Sequence, residues 1–353
     1  MIAQPPKISV IITCYNYEEY VSSAIDSVLS QSYSEKEVIV VDDASTDTSR
    51  AIINSYGTSV ISVLKDINGG HGAAFNFGFD KSSGSIVMFL DADDFLLPNA
   101  LKRIAESFQT KDDATFSMVQ YRMELVDSAA RAYDIFPKLE QAFHTGDQKS
   151  RLLKSGTIET TVTSGLAFSR TFLEQVMPIP AEDFHQGSDG YLATLAALYA
   201  PLGDGGTAPI SAYRQHGKNH SGFEAQIEKR AAWVIAHREA CYSALRTHAI
   251  ALGENVSHKL GQDDESYLTQ KMAIRLFTAN LPYVDSRLRL SFSGASAVQK
   301  ASLSLTNRMA LTVWWFLLGI LPVAMAKHIL AWRLQAASRP EWVQKLAKRL
   351  RRL

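Results

Sequence analysis

Three aspartates follow an apolar segment at a spacing that suits a metal site. Ile86–Pro98 reads IVMFLDADDFLLP, in which a run as long as a buried strand ends at Asp91, Asp93 and Asp94. Carboxylates this close repel one another and lose hydration on burial unless a cation lies among them. Such hard oxygen ligands favour Mg²⁺ or Mn²⁺. The alternative is an acidic turn in which Asp93 or Asp94 caps the next helix.

The segments around these aspartates alternate between strand and helix patterns. Strand-like apolar runs occur at Ile8–Thr13, Val38–Val41, Val60–Leu64 and Ile86–Leu90. Helical patterns occur at Glu18–Ser30, from Ser45 or Thr46 to about Ser55, and at Ala73–Lys81. This alternation predicts an α/β fold with a Rossmann-like, mainly parallel sheet flanked by helices. The predicted strand ends read TCYN, DDAS and DADD, so polar residues converge on the edge where such sheets bind ligands.

Composition excludes several classes of protein. The 353 residues carry 36 Lys and Arg against 36 Asp and Glu, so net charge gives no reason to expect nucleic-acid binding. Cys14 and Cys241 form no disulfide or zinc pattern, which fits a reducing compartment. Met1–Lys7 is short and polar, and predicts no signal peptide.

Two nucleotide-binding classes lack their required glycine motifs. The turn after the first strand reads Thr13-Cys14-Tyr15-Asn16, so the GxGxxG of a nicotinamide-dependent oxidoreductase is absent from the position where it is needed. No GxxxxGK[ST] of a P-loop kinase occurs anywhere in the chain.

Four motifs together resemble those of family 2 glycosyltransferases. They are ISVIITCYN at Ile8–Asn16, VVDDASTD at Val40–Asp47, NGGHGAAFNFG at Asn68–Gly78 and FLDADD at Phe89–Asp94. The resemblance is close over Ile8–Pro98 and continues more weakly to Ser221. It implies the GT-A fold and metal-dependent, inverting transfer of a sugar from a nucleoside diphosphate sugar, with UDP as the expected nucleotide.

The same resemblance implies a nucleotide-binding pocket at the ends of the first two strands. Tyr15 and Asp43 match positions that hold the base, and Thr13, Asn16 and Glu18 match positions that line the pocket. The residue types agree, because a base needs a planar contact and a hydrogen-bonding group at its edge. Alternatively, Tyr15 covers the core edge and Asp43 caps the helix after Ser45.

The glycine-rich motif has two interpretations. Its glycines allow close backbone approach, and Asn68 and Gly70 precede a helix whose N-terminus could face a phosphate or a sugar. A plain loop followed by a helix fits equally well, and His71 is expected to be exposed in that loop.

The resemblance also implies a divalent metal, Mn²⁺ or Mg²⁺. Asp93 matches the coordinating position of the family's DxD pair, and Asp91 matches the position near ribose or a metal-bound water. The sequence YRQHGKNHS at Tyr213–Ser221 is similar to a loop that closes over the diphosphate. There Arg214 would bind phosphate and His216 would complete the metal ligands. Surface side chains in a loop are the alternative.

An inverting transfer needs a base for the acceptor hydroxyl. The family places an aspartate after a small-residue loop at the start of a helix, and Ser164-Gly165-Leu166 followed by Gly187-Ser188-Asp189-Gly190 matches that order. The resemblance therefore indicates Asp189. Asp183 and a helix-capping role for Asp189 are the alternatives, because relatives often carry Glu-Asp where this chain has Ser188-Asp189.

The C-terminal region is helical in pattern and ends in basic residues. Phe223–Leu281 shows helical patterning, and Met309–Ala326 is uncharged and strongly apolar ahead of a tail rich in Lys and Arg. The expectation is a segment that lies in the membrane interface at the cytoplasmic face, with the tail on anionic lipid. A membrane span and a buried or partner-binding helix are the alternatives.

These observations predict three regions. Residues 1–222 form a GT-A domain, with a nucleotide-binding half at 1–111 and an acceptor half at 112–222; residues 223–300 are helical, and 301–353 associate with the membrane. The expected acceptor is a hydroxyl of a cell-surface glycan or a lipid-linked acceptor. The alternative function is that of a non-catalytic nucleotide-sugar-binding protein docked on a membrane.

Overall fold

A computed structural model describes residues 4–109, 116–217, 226–278, 285–301 and 303–335. The chain divides into two compact units. The first comprises Met1–His216 and Ser243–Val256, and the second comprises Gly217–Tyr242 and Ser257–Leu353. Strands and helices are numbered below in chain order.

The strands are β1 (Ile8–Cys14), β2 (Lys36–Asp42), β3 (Ile61–Leu64), β4 (Ile86–Asp91), β5 (Phe95–Leu96), β6 (Met118–Gln120), β7 (Met123–Val126), β8 (Ala132–Phe136), β9 (Leu166–Ser169), β10 (Leu202–Asp204) and β11 (Ser211–Arg214). The helices are α1 (Val21–Leu29), α2 (Ser49–Ser55), α3 (Gly70–Lys81), α4 (Ala100–Phe108), α5 (Lys149–Ser155), α6 (Arg170–Val176), α7 (Ser188–Tyr199), α8 (Ile227–Ala251), α9 (Glu265–Phe277), α10 (Arg287–Lys300), α11 (Leu305–Ile320) and α12 (Val323–Leu334).

The main sheet confirms the α/β prediction. Its seven strands have the order β10-β6-β9-β4-β1-β2-β3, and β1 pairs in parallel with both β2 and β4. Every residue of β1 is buried, as expected for a central strand covered on both faces. β9 is the exception to the parallel pattern, because it runs antiparallel to β4 and β6.

Helix α1 shows how sequence periodicity sets the core. Val21, Ala24, Ile25 and Val28 are fully buried and recur at helical spacing. The helix begins at Val21, three residues after the predicted start, because a turn over residues 18–20 precedes it. α3 differs in the other direction, since it begins at Gly70 and takes in most of the glycine-rich motif.

A second, four-stranded sheet was not predicted from the sequence. Its order is β5-β11-β7-β8, with β11 antiparallel to β5 and parallel to β7. β5 has two residues and β11 has four, which is too short for an alternating pattern to be distinguished. This sheet carries Arg214 and ends two residues before His216.

The second unit is helical in its described part. The helical prediction for Phe223–Leu281 corresponds to α8 and α9, with a break between Ala251 and Glu265, while residues 223–225 and 279–281 lie outside the described residues. The apolar run Met309–Ala326 forms α11 and the start of α12, separated at Leu321 and Pro322. Among the described helices, none has the length and apolar character needed to cross a bilayer.

Candidate active site

Parallel pairing places the acidic strand ends on one edge of the sheet. β1 lies between β2 and β4, with Thr13 opposite Asp91 and Cys14 opposite Asp42. The Thr13 carbonyl also accepts the Ala92 N–H at 3.1 Å, which fixes the turn after β4 against the end of β1. The structure therefore brings together the strand ends that the sequence analysis singled out.

The three aspartates after β4 have different surroundings. Asp93 and Asp94 are buried, with exposures of 6% and 1%, whereas about a third of the Asp91 side chain is exposed. Burial, followed by the charges of Asp93 and Asp91, raises the pKa of Asp94 well above its usual value. Asp94 accepts the Arg214 N–H at 2.9 Å, so it ties the acidic turn to β11. This contact gives Asp94 a structural part in the site.

Asp93 and His216 form a buried pair. The His216 Nε2 atom lies 3.0 Å from Asp93 Oδ2, and their side chains are 4% and 9% exposed. The Tyr20 ring stacks on the imidazole at 4.8 Å, and Tyr17 approaches it edge-on at 6.0 Å. Burial, then the charges of Asp93 and Asp91, raises the pKa of Tyr17, so its phenol stays protonated beside the acidic cluster. The aromatic rings hold the imidazole against the carboxylate.

The pair fits a divalent ion that is bound partly by substrate. In the described part of the chain, no three His, Cys, Asp or Glu side chains converge into a complete ligand set. Mg²⁺ and similar ions commonly bind through one or two protein ligands, with phosphate oxygens and waters completing the shell. A carboxylate beside an imidazole at a polar sheet edge meets that requirement.

Arg214 contacts the backbone of the site. Its Nε donates to the Asp93 carbonyl at 2.8 Å and Nη1 donates to the Ser128 carbonyl at 3.0 Å. The guanidinium lies over the rings of Tyr20 and Phe95, and the residue is 5% exposed. These contacts make Arg214 a support for the Asp93 turn. The rest of its motif, residues 218–221, lies outside the described residues.

Asp43 binds the start of α3. Its carboxylate accepts the Gly69 N–H at 3.0 Å and the Gly70 N–H at 2.7 Å, and it also pairs with Lys65. The Asn68 side chain donates to the Asp43 carbonyl at 3.0 Å. Asp43 thus caps α3, whereas the cap considered from sequence was for the helix after Ser45. The carboxylate fixes the glycine-rich segment beside the strand ends.

The amides at the start of α3 have protein acceptors. Besides the two bonds to Asp43, the His71 N–H donates to the His185 carbonyl at 2.8 Å and the Gly72 N–H to the Phe184 carbonyl at 3.0 Å. Gly70 has φ +78°, and a Cβ there would lie 2.2 Å from the His185 ring. The glycines allow the 184–185 segment to approach the helix closely.

The predicted pocket residues after β1 hold the loop after β2. The Asn16 side chain accepts the Thr46 N–H at 2.7 Å, and the Glu18 carboxylate accepts the Thr48 N–H at 2.9 Å. Thr13 is buried at the strand end, whereas Tyr15 is 45% exposed. Asn16 and Glu18 therefore shape the loop, and Tyr15 offers an accessible aromatic face beside it.

Asp189 lies in the first turn of α7. Gly187 occupies the N-cap position, so Asp189 is the second residue of the helix. Asp183, the alternative candidate, is exposed in the preceding turn.

His71 connects this helix to the acidic turn. Its Nε2 lies 3.3 Å from Asp91 Oδ1, and its Nδ1 accepts the Ser188 N–H at 3.4 Å. Burial alone would lower the pKa of His71, but Asp91, Asp189 and Asp43 raise it above its usual value. The expectation that His71 is exposed in a loop is wrong, because it is the second residue of α3 and its side chain is 20% exposed.

The sequence analysis missed the roles of His71, Tyr17 and Tyr20. Tyr20 falls within the helical pattern Glu18–Ser30, yet it precedes α1 and stacks on His216. The spacing YNYEEY directly after β1 is the signal that could have identified Tyr17 and Tyr20 as site residues. For His71, the signal was a titratable residue inside a glycine-rich motif.

Comparison with known families identifies this domain. Residues 9–176 match the family model described as glycosyl transferase family 2. The chain carries a family 2 glycosyltransferase domain. An uncharacterized glycosyltransferase of Nostoc sp. is 39% identical to the chain over 225 residues, which is 61% of this chain and 66% of that protein. Alignments with the first three curated relatives cover 39 to 66% of those relatives' own lengths.

Solved structures show the same fold. S. aureus TarS superposes with a TM-score of 0.53 and 16% identity, over 92% of this chain and 55% of that chain. The mannosyltransferase PcManGT of Pyrobaculum calidifontis, solved with GDP-Man and Mn²⁺, gives a TM-score of 0.50 and 18% identity, over 95% of this chain and 86% of that one. These similarities confirm the predicted GT-A fold.

Proposed function

We propose that this glycosyltransferase moves a sugar, with inversion and with the help of a divalent metal, from a nucleoside diphosphate sugar to a hydroxyl of a cell-surface glycan or lipid-linked acceptor. The observation that carries the proposal is the convergence at one sheet edge of Asp91, the Asp93–His216 pair and the start of α7 with Asp189. An acidic cluster of this kind suits a cation-bound diphosphate facing a base.

Asp91, Asp93 and His216 are the proposed metal-binding residues. A bound Mn²⁺ or Mg²⁺ supplies Lewis-acid stabilisation to the departing diphosphate. PcManGT was solved with Mn²⁺ and a nucleotide sugar, which supports the same requirement here. The rings of Tyr17 and Tyr20 hold His216 in place, so less ordering is required when the ligands assemble.

The proposed nucleotide-sugar-binding residues surround the ends of β1, β2 and β4. They are Thr13, Tyr15, Asn16, Glu18, Asp43, Asn68, Gly70, Asp91 and Arg214. The contacts described above divide them by role. Tyr15 presents an accessible ring for the base, while Asp43, Asn16 and Glu18 hold the surrounding loops in position. UDP is the nucleotide we propose, because the sequence motifs resemble enzymes that use it.

Asp189 is the proposed catalytic base. In the transfer, the acceptor oxygen forms a bond to the anomeric carbon as the bond to the diphosphate oxygen breaks, and the Asp189 carboxylate takes the hydroxyl proton. His71 lies between Asp91 and the start of α7, so it positions the donor side and the base side of the site relative to each other.

We further propose that residues 1–222 form the catalytic domain, with halves at 1–111 and 112–222. Residues 223–300 form a helical region, and residues 301–353 associate with the cytoplasmic face of a membrane. An apolar helical segment followed by a basic tail supports this arrangement. A membrane location would bring the enzyme to a lipid-linked acceptor.

Thermal unfolding with a panel of nucleotide sugars, each with and without Mn²⁺, tests the proposal. A donor that binds the folded state raises the melting temperature by mass action, and Mn²⁺ is expected to increase that shift. Stabilisation by one UDP-sugar that needs Mn²⁺ would support the proposal, and no stabilisation by any donor would contradict it. Donor binding without sugar transfer to any hydroxyl acceptor would favour the non-catalytic binder.

A further inference from the structure

Helix α11 presents a continuous apolar face to solvent. From Met309 to its end, every exposed side chain of this helix is apolar. Met309, Val313, Phe316 and Ile320 are between 40 and 68% exposed and recur at intervals of three or four residues. That spacing places them along one side of the helix. Contiguous exposed apolar patches mark interaction sites in folded proteins.

The neighbouring helices extend this face. The Phe292 ring of α10 contacts the Phe316 ring with a centroid distance of 5.8 Å, and Leu288 of α10 approaches Gly319 of α11. Phe292 and Leu288 are themselves 61 and 55% exposed. We call Leu288, Phe292, Met309, Val313, Phe316 and Ile320 the α11 stripe.

The α11 stripe lies on a well-packed support. On the opposite side of α11, Trp315 and Leu318 are fully buried, and Trp315 packs so closely on Gly294 that a Cβ there would lie 2.1 Å from its ring. Ser291 of α10 donates to the Trp315 carbonyl at 2.7 Å. Because the buried face is fixed by these contacts, α11 cannot turn the stripe inward without losing them.

We propose that the α11 stripe docks on the surface of an anionic lipid bilayer, with α11 lying in the interface. The charge of the segment supports lipid as the occupant: residues 285–353 contain twelve Lys and Arg against two Asp and Glu. Basic residues beside an apolar helix face are attracted to anionic headgroups while the apolar side chains enter the acyl boundary. This proposal deepens the membrane partner in the proposed function and rests on it for its biological purpose.

Geometry favours the interface over a crossing. α11 has 16 residues and ends at Ile320, ahead of Leu321 and Pro322. At 1.5 Å per residue, that is about 24 Å, shorter than a hydrocarbon core of about 30 Å. Only one side of α11 is apolar and exposed, as an interfacial helix requires.

The same charge argues against a second copy of this chain as the occupant. Pairing two α11 stripes face to face would bring two strongly basic segments together, and like charges in contact repel. Residues 336–353 are a further candidate, since they follow α12 in the chain and contain apolar positions among their basic ones. Both possibilities predict results different from lipid docking.

Vesicle flotation of the full chain tests the proposal. The vesicles contain either phosphatidylcholine alone or phosphatidylcholine with phosphatidylglycerol. The decisive variant is Val313→Lys with Phe316→Lys, which removes apolar area from the α11 stripe but adds positive charge. Its matched control is Asn307→Lys with Ala310→Lys, at exposed positions of the same helix away from the side that carries the stripe.

Lipid docking through the stripe predicts that wild type and control float with the anionic vesicles and that the stripe variant partitions at least tenfold more weakly. Equal flotation of the stripe variant would overturn the proposal and assign the binding to charge alone. Absence of wild-type flotation would overturn the proposal outright. A dimer by light scattering that the stripe variant dissolves would identify a second copy. Stronger flotation after truncation at residue 335 would show that the tail covers the stripe.

The melting temperature and the donor-induced shift are measured on the same variants. Both are expected to match wild type, because Val313 and Phe316 are exposed and belong to the second unit. Flotation without donor binding would contradict the proposed sugar transfer alone. Donor binding without flotation would contradict the docking proposal and the membrane association proposed for residues 301–353, and would leave the proposed sugar transfer intact.

Discussion

Asp189 is the residue on which the proposed chemistry depends most directly. It lies inside the first turn of α7, where the helix N-terminus stabilises negative charge, and its charge acts on His71. We expect Asp189→Asn to lower sugar transfer by about 10² to 10⁴-fold, the usual contribution of a general base. The donor-induced thermal shift should remain, because the substitution changes neither the strand ends nor the Asp93–His216 pair.

Asp183→Asn is the matched control for that experiment. Asp183 is exposed in the turn before α7 and is the other aspartate considered for the role. Its substitution is expected to leave transfer and donor binding unchanged. Normal turnover in Asp189→Asn together with a loss in Asp183→Asn would reassign the base.

Several site residues act on one another before they meet a ligand. Asp94 accepts the Arg214 amide, Asp43 accepts the amides of Gly69 and Gly70, and Glu18 accepts the Thr48 amide. Asp94 and Asp43 satisfy backbone donors that burial would otherwise leave unpaired, whereas the Glu18 bond is exposed. At this scale, the motif residues assemble the site as well as line it.

Helix α3 depends on Gly70 for its position. Gly70 adopts φ +78°, and an added Cβ would meet the His185 ring at 2.2 Å and the His185 carbonyl at 2.5 Å. Gly70→Ala should therefore incur both left-handed backbone strain, about 1 to 2 kcal/mol, and a steric penalty of about 1 to 3 kcal/mol. Urea unfolding measures the loss.

Gly57→Ala separates the two effects. Gly57 also has a positive φ, +53°, but an added Cβ would have nothing within 4 Å. This variant should lose only the free energy of backbone strain. If Gly70→Ala and Gly57→Ala lowered the free energy of unfolding equally, the close contact between α3 and the 184–185 segment would add nothing to the cost of Gly70→Ala.

Glu37 of β2 should make stability depend on acid pH. Burial alone would raise the pKa of Glu37, but contacts from Lys7, Ser9 and Ser83 outweigh it and lower the pKa from 4.5 to about 2. A lowered pKa stabilises the fold above pH 4.5 and loses that effect as the pH falls through about 2. We expect Glu37→Gln to cost about 1 to 3 kcal/mol at pH 7.

Urea unfolding at several pH values checks this dependence. The gap between wild type and Glu37→Gln should close progressively below pH 4.5. Glu35→Gln serves as the control. Glu35 is exposed and lies one residue before β2, so this variant should behave like wild type. A gap that stays constant down to pH 2 would mean that the carboxylate charge is not the cause.

For the whole molecule, the proposed membrane contact should respond to salt in two parts. Raising NaCl from about 0.1 to about 0.5 M shortens the Debye length and should weaken flotation with anionic vesicles several-fold. Part of the vesicle binding should persist at high salt, because burial of the α11 stripe in the bilayer does not depend on charge. Complete loss at high salt would assign the interaction to the basic residues alone.

The sequence anticipated the central sheet better than the rest of the fold. β1, β2 and β4 are buried apolar runs that end in polar residues, and such runs carry their own signal. The antiparallel β9 and the second sheet gave no such signal, because their strands of two to five residues are too short to show a clear period. Their pairing depends on neighbours distant in the chain.

The amino-acid sequence alone determined the α/β class, the acidic edge and the family, because strand periodicity and motif spacing are local properties. Only the tertiary structure placed His216 against Asp93, although the two are 123 positions apart. Antiparallel pairing of Ser211 and Ala212 with Leu96 and Phe95 brings them together. Tertiary structure likewise turned Asp43 toward the amides of α3 and His71 toward Asp91. Contacts of this kind depend on chain packing, which no local pattern encodes.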